Sequence, residues 1–184
     1  MFGRKIENKL VNNIIEWLLS IALAILVFLV MRTFVFRVAQ VTGFSMEPTL
    51  TDGDFVLLNR FNYLFSSPRV GDIIAFPPYE DRPYRFYIKR IVALPGDVVD
   101  LVDMQFVING EVLEDDFSYE PILGFIGAID FPHEVEEGRF FVLGDNRNGS
   151  MDSRFASVGT IPAEAMVGRV SLRIWPRGRI GQVD

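Results

Sequence analysis

Gly43-Phe44-Ser45-Met46-Glu47-Pro48-Thr49-Leu50 divides the chain into two kinds of sequence. Before it runs a long apolar stretch of helical character. After it the hydrophobic residues fall into short runs, each closed by a turn signal. Within the octapeptide, Gly43 lets the backbone bend where a Cβ would clash, and Pro48 fixes the direction of exit. Ser45 is thereby held on a turn, where a hydroxyl faces a cleft instead of a core. A turn serine is most often only a turn residue, so its chemistry depends on what the rest of the chain brings to it.

Upstream, Trp17–Met31 carries no charge over 15 positions. That falls short of the roughly 20 residues that cross a bilayer. Ile14, Ile15, Phe34, Val35 and Phe36 extend it, and Glu16 and Arg32 near its ends can snorkel. A helix over 14–36 would be about 34 Å long, which predicts a single transmembrane span. Phe34-Val35-Phe36-Arg37-Val38-Ala39 offers no small-x-small site, so the span reads as an uncleaved anchor. Residues 1–13, with Arg4, Lys5 and Lys9, form a short basic segment assigned to the cytoplasm, although Arg32 and Arg37 partly balance it.

Downstream, Val38–Val41, Phe55–Leu58, Ile73–Phe76, Phe86–Val92, Phe140–Leu143 and Val167–Trp175 read as strands. Asn109-Gly110 inside Val107–Val112 suits a hairpin with a type I′ turn. Pro162–Met166 allows one helical turn, and the acidic run Glu111–Asp116 reads as a solvated loop. Gly-Asp pairs at 53–54, 71–72, 96–97 and 144–145 punctuate the series. The expectation is a mainly β, antiparallel domain over 38–184 behind one N-terminal membrane helix.

The 184 residues are 49% hydrophobic, with 17 phenylalanines and a net charge of −6. That balance, with no basic stripe, argues against a nucleic-acid partner. There is no cysteine, which removes disulfides and thiol catalysis together. The single histidine, His133, cannot build a metal centre alone, and its polar-flanked stretch reads as surface. No metal or cofactor is implied, and chemistry at Ser45 needs a base other than histidine.

Lys89 is the odd residue of its strand. Strand alternation places Phe86, Ile88, Arg90 and Val92 on one face and Tyr87, Lys89 and Ile91 on the other. A lysine there either snorkels to water or is buried as an amine whose charged form is disfavoured. In the second case it can take a proton from a serine, as in Ser–Lys variants of the catalytic triad. The loop Gly144-Asp145-Asn146-Arg147-Asn148-Gly149-Ser150-Met151-Asp152-Ser153-Arg154 supplies serines able to bond an amine and Asp/Arg pairs able to brace them.

Three motifs in this order resemble the bacterial type I signal peptidases: Ser-Met-x-Pro-Thr from Ser45, Lys-Arg-Ile-Val-Ala-Leu-Pro-Gly-Asp from Lys89, and Gly-Asp-Asn-Arg-x-x-Ser-x-Asp-Ser-Arg from Gly144. Val70–Phe76 looks like a fourth segment of that family. The resemblance implies that Ser45 is the acylating nucleophile, Lys89 the general base, and Ser150 the residue that orients the amine. It makes Asp145, Arg147, Asp152 and Arg154 bracing residues. Val41, Met46, Leu50, Tyr87 and Ile88 fall where the family's shallow pockets accept Ala-x-Ala-like residues. The oxyanion hole would use Ser45 and the position of Gly43, where many members carry a serine whose hydroxyl is missing here. The accessory β region, about 98–140, should be small. As partners the resemblance implies signal peptides of secretory preproteins, the lipid bilayer and, indirectly, the secretion translocon. It implies a single-pass protein of the plasma membrane with its catalytic domain on the extracytoplasmic face.

Overall fold

Helix α1 spans Lys9–Val30, 22 residues without glycine or proline. Its window Val11–Leu29 has a mean hydropathy of 2.0 and none of it is buried against the rest of the chain. Asn12, Asn13, Glu16 and Ser20 make its first half the more polar, Ile21–Val30 is apolar throughout, and by length and composition the helix is long enough to cross a membrane. The computed structural model describes residues 9–31, 35–61, 63, 66–77, 86–114, 117–118, 121–123, 127 and 129–183. Arg4, Lys5, Arg32 and Phe34, invoked at the ends of the span, lie outside them. The helix begins earlier than Ile14, and Phe36, expected at its end, opens the first strand.

Every strand pairing is antiparallel. The strands are β1 (Phe36–Gln40), β2 (Phe55–Asn59), β3 (Ile73–Phe76), β4 (Tyr87–Ala93), β5 (Val98–Val102) and β6 (Gln105–Ile108). They continue with β7 (Glu111–Val112), β8 (His133–Glu134), β9 (Arg139–Leu143), β10 (Ile161–Pro162), β11 (Gly168–Trp175) and β12 (Gly181–Gln182). Eight of them form one sheet in the order β1-β2-β11-β3-β4-β9-β10, with β12 beside β11. The other four form a small sheet, β7-β6-β5-β8, within the expected accessory region.

Three Gly-Asp pairs build the same turn. At Asp54, Asp72 and Asp97 the backbone N–H donates to the carbonyl three residues back. The carboxylate of each accepts the N–H of that same residue, Thr51, Arg69 or Leu94. The aspartate thus closes its own turn, and the preceding glycine takes the positive φ that the turn demands. Asn109 and Gly110, both at positive φ, make the expected hairpin turn between β6 and β7.

One core gathers Ala39, Val41, Met46, Leu50, Val56, Leu58, Ile73 and Ile88, so the first strand, the Ser45 loop and the start of β4 share an interior. A second core carries Val99, Phe106, Val135 and Phe141 between the two sheets. A third, with Ile74, Ile91 and Val142, backs the other face of β4. β4 is therefore buried on both faces, and Arg37 at the free edge of β1 stacks 4.6 Å over the Phe86 ring.

Charge is segregated along the chain. Between Arg90 and Arg139 there are 12 acidic residues, half of the total of 24, and no lysine or arginine. This stretch contains the whole small sheet. The remainder is net basic.

Candidate active site

The turn that carries Ser45 is stapled at its base. Val41 N–H donates to the Asp54 carbonyl at 2.8 Å, and Gly53 N–H to the Val41 carbonyl at 3.0 Å. Gly43 has φ +90°, a conformation that residues with a side chain rarely adopt. Its N–H donates to Asp52 Oδ1 at 2.8 Å. Gly43's own amide is thus engaged by a carboxylate of the same loop. Among the described residues the Ser45 N–H has no acceptor.

Lys89 Nζ lies 2.7 Å from Ser45 Oγ and donates to the Ile88 carbonyl at 3.1 Å. The residue is 3% exposed. Burial lowers the pKa of its amine from 10.5 to about 8, opposed by the carboxylates of Asp152 and Asp145 and aided by the Arg154 cation. The Tyr87 ring, 5.2 Å from Nζ, flanks it on the same face of β4, as the alternation required.

The loop after β9 arrives through Gly144, whose role is space. A Cβ there would overlap Ser150 Oγ, Ser150 Cβ and the Ser45 carbonyl oxygen. Ser45 is held at the same place by Asn146, whose N–H donates to the Ser45 carbonyl at 3.1 Å. Asp152 accepts the Gly144 N–H at 3.0 Å and pairs with Arg154 through both carboxylate oxygens, at 2.7 and 3.0 Å. Arg154 also donates to the carbonyls of Arg147 and Ser150, closing the loop on itself.

Asp145 forms a second buried pair, with Arg90 and not with a residue of its own loop. The contacts are Nε to Oδ1 at 2.9 Å and Nη2 to Oδ2 at 2.8 Å. Thr49 Oγ1 donates to the same carboxylate at 2.6 Å and ties the nucleophile loop to it. Arg147 donates to the Gly144 carbonyl at 2.9 Å, and its guanidinium lies 5.9 Å from the Phe106 ring of the small sheet. Ser150 Oγ is buried and hydrogen-bonded to nothing among the described residues.

The structure therefore brings together Ser45, Lys89, Asp145, Arg147, Ser150, Asp152 and Arg154. Of the expected pocket residues, Val41, Met46, Leu50 and Ile88 pack in one core beside the cleft and Tyr87 is half-buried. Leu50 has no exposed surface. His133 sits in β8 of the small sheet, paired with Val99, its ring 6.0 Å from Phe141. No carboxylate group of described residues is arranged to hold a metal. Arg90, Thr49, Asp52 and Gly144 were not read as site residues. Arg90, Thr49 and Gly144 stood inside the quoted motifs, but their work depends on which groups pass closest in space, which spacing does not reveal.

A family model described as signal peptidase, peptidase S26, matches residues 14–175. A signal peptidase I of Leptolyngbya laminosa is 35% identical over 183 residues, covering 96% of this chain and 87% of the relative. One from Bacillus licheniformis is 33% identical over 190 residues and is covered completely, as is this chain. A probable signal peptidase I-2 of Synechocystis is 32% identical, covering 97% of this chain and 81% of that one. The chain belongs to the signal peptidase family, peptidase S26, whose members are serine proteases.

Proposed function

We propose that the chain is a membrane-anchored endopeptidase that removes N-terminal signal peptides from exported preproteins after small residues, with Ser45 as nucleophile and Lys89 as base. One observation carries the reading: a buried amine of lowered pKa stands 2.7 Å from a turn serine. Neutral Nζ accepts the Ser45 proton as Oγ attacks the scissile carbonyl, and the resulting ammonium returns that proton to the departing amine. The acyl-enzyme left on Oγ is then hydrolysed by a water that the same amine deprotonates. The Ser45 N–H is one donor to the tetrahedral oxyanion. Ser150 Oγ, buried and uncommitted, orients the amine lone pair.

The substrate lies as an added strand between the free edge of β1 and the start of β4. β9 pairs with β4 only from Arg90 onward, so one edge of Tyr87–Lys89 lacks a strand neighbour on the β9 side. Val41, Met46 and Ile88 form the small-residue pockets there, with Leu50 behind and Tyr87 at the side. α1, about 28 Å over Val11–Leu29, is the anchor in the plasma membrane, with the N-terminus cytoplasmic and the β domain outside. The bilayer and, indirectly, the translocon are the partners beside the preprotein.

The test is cleavage of a preprotein by the detergent-solubilised full chain, with the new N-terminus read by mass spectrometry. Wild type is expected to cut after a small residue, and Ser45→Ala not at all. An active Ser45→Ala enzyme overturns the assignment.

A further inference from the structure

The loop that carries Ser45 is gripped on its far side by two arginines that the catalytic chemistry does not use. Asp54, at the end of the loop, is 1% exposed. Its Oδ2 accepts from Arg173 Nη1 at 3.3 Å, and its Oδ1 from Arg179 Nη1 at 3.4 Å. Arg173 Nη1 also donates to the Thr49 carbonyl at 2.9 Å, and Arg179 Nη1 donates to the Thr51 hydroxyl. The two arginines are themselves joined, Arg173 Nε donating to the Arg179 carbonyl at 2.6 Å. Arg173 comes from β11, and Arg179 from the 3-10 turn Arg177–Arg179, beyond the residues matched by the family model. β12 follows and pairs back onto Leu172 and Arg173.

We infer that this C-terminal clamp, Arg179 above all, is a positioning device that sets the distance between Ser45 and Lys89. The two reacting side chains sit on separate elements, and Lys89 is fixed in β4, paired with Ile74 of β3 and buried. Ser45 is held through its loop and by the Asn146 N–H at its carbonyl. Thr49 is pinned from both sides, by Asp145 at its hydroxyl and by Arg173 at its carbonyl. Asp52, in the arm held by Arg179, grips the N–H of Gly43, two residues before the nucleophile. Release of the arm therefore moves the serine against a stationary amine. Displacements of about 1 Å at reacting atoms cost up to about 100-fold in rate.

The inference rests on the proposed serine chemistry, so its test needs one readout with substrate and one without. In the full-length detergent-solubilised enzyme, Arg179→Ala should lower kcat by about 10- to 100-fold while KM stays within about 3-fold. Arg179→Lys, which keeps a cation near Asp54, should recover most of the loss. Arg177→Ala, on the same turn, should match wild type. Thr51→Val removes one contact of the clamp with little risk to folding and should lower kcat in the same direction. Hydrogen exchange at the Gly43 and Thr51 amides, measured without substrate, should quicken at least about 10-fold in Arg179→Ala, a loss of roughly 1.4 kcal/mol of protection. Unchanged exchange, or unchanged kcat in both Arg179→Ala and Thr51→Val, overturns the clamp. An equal loss in Arg177→Ala and Arg179→Ala also overturns it. If exchange quickens but wild type cleaves no preprotein, the clamp stands and the proposed function fails.

Discussion

Below pH 8 Lys89 holds a proton in a place where burial disfavours charge, and the fold bears that cost. Its pKa is about 8 folded, against 10.5 for an exposed lysine. Between those values the unfolded chain binds a proton that the folded chain has released, so stability rises with pH across that window. The penalty is fully present below pH 8 and amounts to about 3 kcal/mol as an order of magnitude. Lys89→Met should therefore be inactive yet more stable than wild type at pH 7, by about 1–3 kcal/mol. The gain should shrink towards pH 10.5, which denaturant titrations at several pH values will check. Turnover should rise with pH through about 8 as the amine becomes neutral. Lys89→Arg should be dead throughout, because guanidinium keeps its proton. A flat pH profile would count against the lysine as base. Gly144→Ala should lower kcat by about 100-fold, because its Cβ would overlap the Ser45 carbonyl and the Ser150 side chain. Ser45 and Lys89 were legible in the sequence because their chemistry is odd for where they sit. Gly144 and Arg90 were not, since one acts by what it lacks and the other by reaching a carboxylate 55 positions away.

The Ser45 loop and β4 carry the site as elements. Gly43 at φ +90° has open space around its missing Cβ, so substitution there is opposed by backbone conformation and not by crowding. Gly43→Ser and Gly43→Ala should lose turnover by similar factors, on the order of 10-fold or more. A Gly43→Ser enzyme faster than wild type would mean that a hydroxyl, not a backbone angle, was wanting. Beneath the loop, the Arg90–Asp145 pair is almost wholly buried. Breaking it from one side, as in Arg90→Met, should destabilise by about 3–5 kcal/mol, while Arg90→Met with Asp145→Leu should recover much of that. Thermal unfolding of wild type and these two variants decides this. Most strands could be read from period-two runs and Gly-Asp turns. β5, its run broken by Asp100, was not read, nor were the two-residue strands β8, β10 and β12, which exist through the neighbour they pair with; β7, equally short, was legible through its Asn-Gly turn.

At the scale of the whole molecule, the proposed anchor and the β domain call for different solvents. The domain leaves Val38, Phe44 and Trp175 exposed. A chain lacking residues 1–34 keeps Phe36 and the register of β1 against β2, so it should fold and retain chemistry that depends on detergent or lipid. Equal activity in plain buffer would show that the anchor serves only for retention. The segregated charge has a mechanical consequence. On the proposed anchoring, the segment between Arg90 and Arg139, with 12 of the 24 acidic residues and no lysine or arginine, is repelled by an anionic bilayer, a torque that turns the small sheet outward. That torque is screened within about 10 Å at 0.1 M salt. Cleavage on anionic vesicles should thus respond to ionic strength, and cleavage on zwitterionic ones should not, as if salt loosened a compass needle from its field.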